Sequence, residues 1–376
     1  MTVTKADIKY WVGFSHIPGI GRVRFGQLER YFGSLADAWQ ADTAELRRSG
    51  LDEKALKAIC QQRGKISPDE EMERLAGFSI KALTWHDDDY PARLKEMYDH
   101  PPLLYVRGDI IPQDEWCLAV VGTAGRRSTA NRWPRRWPPS WPAARITIVS
   151  GLARGIDTIA HRAALDAGGR SLAVMGGGLD TVYPAENTAL ARDIMQQGAL
   201  ISEYPHGTRP RAENFPRRNR IMSGLSLGVL VIEAGEHSGA LITARLAVEQ
   251  NREVFAVLGS ILSPTSSGTN RLIQESSAKL VCDYADILEE LNLTAAAQQI
   301  EAKTFLPASE AESILMNCLT AEAVHIDDVC RASGLPMATV SSTLAMMELK
   351  GMVKQVGAMN YSLAREAREP YRVEID

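Results

Sequence analysis

Five arginines crowd one short stretch, Arg209, Arg211, Arg217, Arg218 and Arg220, against the single acid Glu213. Pro216 suits the first turn of a helix, which sets the last three arginines on its opening turns. Positive charge there opposes the helix macrodipole, so helix stability does not explain the cluster. Phosphate binding does. Elsewhere, apolar runs stop at small polar turns: Gly122-Thr123 after Cys117–Val121, Ser150-Gly151 after Ile146–Val149 with Arg154 close behind, and Gly176-Gly177-Gly178 after Ser171–Met175. Ser238-Gly239 opens a helical pattern just past the run that ends at Glu233. Backbone N–H groups at such turns and helix starts can meet an anion. The combination reads as a polyanion site.

Other chemistries fare worse. The aspartates at 87, 88 and 89 precede a Tyr-Pro turn and read as a solvated loop and cap rather than metal ligands. Five cysteines are scattered without metal-ligand spacing and read as reduced thiols, so no metal or cofactor is expected. His161 stands alone on a helical stretch, where a packed or capping role is the ordinary one. An enzyme that binds or hydrolyses nucleotides is the rival reading, with Glu203 or Glu233 as its carboxylate and the glycine triplet on a phosphate. Against it, no Gly-x-Gly-x-x-Gly opens a helix with an acid at the right distance, and no Gly-Lys-Ser/Thr occurs. No catalytic residue is assigned.

The elements that position these residues are short buried strands alternating with helices of about ten to fifteen residues, which means βαβ units and a parallel sheet. Strands are expected at Cys117–Thr123, Ile146–Val149, Ser171–Met175, Ala199–Glu203, Leu227–Glu233 and Val254–Val257. The fold class is α/β, and ligands of such sheets sit beyond the carboxyl ends of the strands. Residues 1–75 are helical in pattern and contain Ile17-Pro18-Gly19-Ile20-Gly21, a turn that resembles helix-hairpin-helix modules, with Arg22 and Arg24 beside it. Residues 76–116 read as a connector with a strand at Ile80–Thr84, 117–291 as the sheet domain with a last strand at Lys279–Cys282, and 292–308 as an Ala/Gln-rich linker. Residues 309–376 show three helices and a hairpin, a winged-helix pattern. From Pro307 onward six basic residues face ten acidic ones, which disfavours DNA binding by this winged helix and a transcription-regulator reading.

The interval after Thr123 breaks the pattern. Where a helix should lead to Ile146, the chain has Pro134, Pro138, Pro139 and Pro142 with Trp133, Trp137 and Trp141. Those prolines cannot share one regular helix. An Arg/Trp strip for stacking on bases is one reading. A stretch foreign to the ancestral reading frame is preferred. A net charge of −4 gives no global pull toward nucleic acid, so any basic surface is local. No apolar run approaches the about 18 residues of a membrane span, and no signal pattern opens the chain, so a cytoplasmic location is expected.

Ser150-Gly151-Leu152-Ala153-Arg154-Gly155-Ile156-Asp157, Gly177-Gly178-Leu179-Asp180 with Tyr183-Pro184, and Ile201-Ser202-Glu203 with Pro205 resemble the DprA/Smf DNA-processing family. Phe215-Pro216-Arg217-Arg218-Asn219-Arg220-Ile221 and Ser238-Gly239-Ala240-Leu241-Ile242-Thr243-Ala244 do so too. The resemblance implies an extended Rossmann-like core that binds single-stranded DNA, dimerises, and loads the RecA recombinase during natural transformation. It places Gly122, Thr123, Ser150, Gly151, Arg154, Arg217, Arg218, Asn219 and Arg220 in the pocket; the helix start at Ser238-Gly239 adds backbone donors. The family's usual arginine after the first turn is replaced here by Ala124, followed by Gly125-Arg126-Arg127.

Overall fold

The computed structural model describes residues 7–123, 146–291, 310–319, 324–349, 353–356 and 359–363. The Pro/Trp-rich interval and the 292–308 linker lie outside them. Two compact units result, Met1–Ile287 and Leu288–Asp376.

The first unit is built on a nine-stranded sheet. Its strands are β1 (Ile80–Thr84), β2 (Leu103–Gly108), β3 (Cys117–Val121), β4 (Thr147–Ser150), β5 (Ser171–Val174), β6 (Gly198–Ser202), β7 (Gly228–Val231), β8 (Glu253–Val257) and β9 (Lys279–Val281). They lie in the order β1-β2-β6-β5-β4-β3-β7-β8-β9. From β6 to β9 all pairings are parallel, while β1 and β2 add antiparallel on one side. Parallel strands need both faces covered, which is why they read as unbroken apolar runs. Side chains alternate between the faces. Leu172, Val174 and Ile201 join one core, with Ile221, Met222 and Leu225 of α10 (Asn214–Leu225). Ala173, Met175 and Leu200 join the other, with Ala191 and Ile194 of α9 (Thr188–Gln196).

That second core also takes in Trp11, Phe14, Phe25 and Leu28 of the N-terminal helices. Trp11 stacks on Phe25 at 5.3 Å, and Ser15 bonds Tyr105 of β2 at 2.7 Å. The helices α1 (Ile8–Ser15) and α2 (Arg22–Phe32) are thus packed into the sheet unit. Within the 76–116 connector the structure has the strand expected at Ile80–Thr84 as β1, and adds β2. Edge-on pairing with β6 and β1 satisfies the backbone groups of β2, whose first four residues are buried.

Chain order runs outward from β3 through β4 and β5 to β6, then returns to β7 on the other side of β3. That reversal is a topological switch point, which opens a crevice at the carboxyl ends of β3 and β7. The turns after β3, β4 and β7 meet there, as does the start of α10.

In the second unit, helices Glu310–Cys318, Ile326–Ser333 and Met337–Leu349 enclose Leu315, Val329, Val340 and Leu344. Three strands, β10 (Val324–His325), β11 (Val353–Gln355) and β12 (Asn360–Leu363), form a sheet in the order β10-β12-β11. Gly334, at φ +68°, ends the middle helix in the left-handed conformation that favours glycine. This is a winged helix.

Candidate nucleic-acid interface

A cavity of about 300 Å³ occupies the crevice. Its wall includes Gly122, Gly151, Arg154, Arg218, Asn219, Ser238 and Gly239. Seven of the residues anticipated from sequence are therefore brought together there. Thr123, Ser150, Arg217 and Arg220 are not on the wall.

The loop after β4 owes its shape to buried polar groups. Ser150 is fully buried and its hydroxyl donates to the Val120 carbonyl at 2.6 Å, tying β4 to β3. The N–H groups of Gly151 and Ala153 both donate to one carboxylate oxygen of Asp157, at 3.1 and 3.3 Å. Asp157 lies in the first turn of α8 (Ile156–Asp166). Leu152 holds a positive φ of 55°, unusual for a side-chain-bearing residue. Its N–H donates to His161 Nε2 at 3.3 Å, whose Nδ1 lies 2.7 Å from the Ser171 hydroxyl. That hydroxyl donates to the Ile148 carbonyl at 3.0 Å, so Nδ1 carries the imidazole proton. The lone histidine is a loop clamp, and Arg154 is what the clamped loop presents to solvent. Its guanidinium pairs with Glu186 through two contacts, at 2.9 and 3.2 Å.

Burial drives the His161 pKa down to about 3. The folded state therefore holds a neutral imidazole, while the unfolded chain takes up a proton below its ordinary value of about 6.5. With more protons bound when unfolded, stability falls as pH drops from about 6.5 toward about 3. The slope rises to at most about 1.4 kcal/mol per pH unit, so about 1.6 kcal/mol is lost between pH 6.5 and 5. Denaturant midpoints of the protein and of His161→Gln across that window measure it. The substitution is expected to flatten the dependence.

Arg218 forms the floor. It is only 4% exposed, and its guanidinium donates to the Val174 carbonyl. A Cβ on Gly151 would fall 2.1 Å from a guanidinium nitrogen, so the loop can pass over Arg218 only with glycine there. Burial lowers the Arg218 pKa, and the Asp157 charge opposes that shift. Burial raises the Asp157 carboxyl, and Arg218 with the N–H groups of Ala153 and Gly151 opposes it. A buried guanidinium and a buried carboxyl, each favouring the other's charged form, thus sit beneath the cavity.

The neighbouring arginines have other fates. Arg220 pairs with Glu203, and also meets the Asp99 carboxylate at 3.4 Å and its carbonyl at 2.6 Å. It braces α10 against the 99 loop. Arg217 points outward, exposed, with no ion pair among the described residues. Thr123 donates through N–H and hydroxyl to the Glu233 carbonyl, at 2.8 and 3.1 Å, joining the ends of β3 and β7. Asn219 is nearly buried beside the Gly239 carbonyl, and the Ser238 hydroxyl accepts from Ala240 N–H, capping α11 (Gly239–Glu249).

The glycine triplet is a packing device. A Cβ on Gly176 would lie 2.9 Å from the Phe215 ring, and one on Gly177 would lie 2.9 Å from the Thr208 carbonyl. Asn214 donates to the Gly176 carbonyl at 2.9 Å, seating α10 on the triplet. None of the three glycines lines the cavity, and neither Glu203 nor Glu233 does. Sequence reasoning missed Tyr183 and Phe215, whose rings lie 5.8 Å apart on the cavity wall. Tyr183 is 47% exposed. Only the two motifs' shared aromatic character hinted at the pair.

A switch-point crevice with a buried arginine, small-residue turns and an aromatic lip marks a Rossmann-like domain, followed in the chain by a winged helix. The family model for DNA recombination-mediator protein A matches residues 81–292, and that for the DprA winged helix domain matches 286–359. The chain belongs to the DprA/Smf family. It is 32% identical to Protein Smf of Synechocystis over 96% of this chain and 99% of that one. It is 41% identical to Protein Smf of Escherichia coli over 71% and 73%. The X-ray structure of DNA processing protein A from Streptococcus pneumoniae superposes with a TM-score of 0.65 at 34% identity, covering 77% of this chain and 99% of that one. DNA processing protein A from Helicobacter pylori, whose structure was described for its single-stranded DNA binding mode, gives 0.51 at 27% identity, over 57% and 96%.

Proposed function

We propose that the chain binds single-stranded DNA in this crevice and serves DNA recombination by protecting incoming strands and loading RecA recombinase onto them as a homodimer. The observation that carries the binding is the convergence of Arg154, the buried Arg218 and the α11 start on one cavity with an aromatic lip. Phosphates meet Arg154 and Arg217, backbone N–H groups at Gly239 add donors, and a base stacks on Tyr183. Duplex DNA cannot offer an unstacked base to Tyr183 without unpairing, which favours single strands. Handover to a recombinase is supported by the family's description as a mediator of recombination.

The test is fluorescence anisotropy with a labelled single-stranded oligonucleotide against duplex competitor. Single-strand preference is expected, and equal competition by duplex would refute it. Tyr183→Ala is expected to weaken binding about fivefold or more with an unchanged salt slope, since stacking releases no counterions.

A further inference from the structure

A second basic groove lies outside the crevice. Two adjoining clefts of about 500 and 610 Å³ share Arg22, Val23 and Gln27 at the start of α2. Gly19 and Gly21, from the Pro-Gly-apolar-Gly turn, line one; Arg30, Lys95 and His100 line the other. Tyr98 stands at the rim, 87% exposed, with the Arg22 guanidinium 5.5 Å from its ring centroid. Arg22 covers one ring face and leaves the other to solvent.

The charges sort themselves. Of the acids on these walls, Asp52 is paired with Arg24 at 2.5 Å and Asp99 with Arg220 at 3.4 Å. Arg22 and Arg30 have no ion pair among the described residues, and Arg22 Nε is buried without a hydrogen-bond partner. Lys95 donates only to a carbonyl, that of Asp87, at 3.1 Å, and lies over the Tyr90 ring. Three cations therefore face the groove uncompensated beside an open aromatic ring. Helix stability does not call for Arg22, since positive charge is unfavourable on a first turn. Cations tracking a backbone beside a ring that can stack a base are the recurrent chemistry of single-strand binding.

We propose that this groove takes a second stretch of the same single strand, with phosphates on Arg22, Arg30 and Lys95 and a base on Tyr98. The inference rests on the crevice reading above. Helix α10 connects the two sites: Arg218 floors the cavity, and Arg220, two residues on, holds the Asp99 carbonyl next to Tyr98. A strand leaving the cavity past exposed Arg217 finds the Tyr98 loop fixed to the same helix.

The test compares oligo-dT of about 6 and about 16 nucleotides, within the span of single-strand site sizes, with a duplex of about 16 base pairs as a third probe. It uses the full chain, Arg22→Ala/Arg30→Ala and Tyr98→Ala. The unsubstituted protein is expected to bind the longer strand more tightly and with a steeper salt dependence. Both variants should hold the short strand as before and lose about tenfold on the long one. The double variant should also lose about 1.4 of the salt slope, at about 0.7 per phosphate. A length gain that survives in both variants overturns the groove. So does a loss confined to duplex DNA, which would make it a duplex surface. If the short strand fails to bind while the long one binds through Arg22 and Arg30, the groove stands and the crevice reading falls.

Discussion

Arg218→Ala is expected to destabilise the protein by about 2–5 kcal/mol, from the void left by a large buried side chain and a buried carbonyl left without its donor. Asp157 would lose the positive charge that favours its ionised form while keeping the Gly151 and Ala153 N–H groups, and the Val174 carbonyl would lose its donor. Arg218→Lys would keep a charge near Asp157 but not the planar fork beneath Gly151, so it should recover only part of the loss. Urea denaturation of the three proteins at pH 7 measures this directly. A change within about 0.5 kcal/mol, the ordinary surface range, would mean that Arg218 is not the buried support described here.

The second large effect is at Gly151. Alanine there would place a methyl group 2.1–2.4 Å from three atoms of the Arg218 guanidinium, and something must move. The guanidinium is enclosed, so overpacking is expected to cost about 1–3 kcal/mol. Because the loop carries Arg154, the shift should also weaken single-strand binding about tenfold or more, as about 1.4 kcal/mol is lost at the site. Binding by Gly151→Ala at a denaturant-free, fully folded concentration separates the two losses. Unchanged affinity would show that the loop's path over Arg218 does not matter for binding.

Much of this was legible in the sequence because the information is local. Strand after strand reads as an apolar run ended by a small-residue turn, and the parallel order follows from the helical intervals between them. The arginine cluster was visible for the same reason. Its division of labour was not. Arg217, Arg218 and Arg220 differ in fate because successive helical residues point in different directions. Which inward direction tolerates a charge depends on Asp157 and Gly151, some sixty residues away in sequence. The pairing of β2 with β6 is equally nonlocal, so the place of 103–108 in the sheet is not legible until Arg107 is seen opposite Leu200. Tyr183 and Phe215 come together only because α10 sits on the glycine triplet.

In the proposed complex the crevice holds the backbone of a single strand through Arg154 and Arg217. Both side chains are exposed, so Arg154→Ala/Arg217→Ala should fold as before. The decisive measurement is its affinity for a single-stranded oligonucleotide across a salt series, beside the unsubstituted protein. The predicted result is weaker binding with a plot of log affinity against log salt flatter by about 1.4, at about 0.7 per lost phosphate contact. Coincident affinities with parallel slopes would contradict the claim and move the strand elsewhere on the molecule.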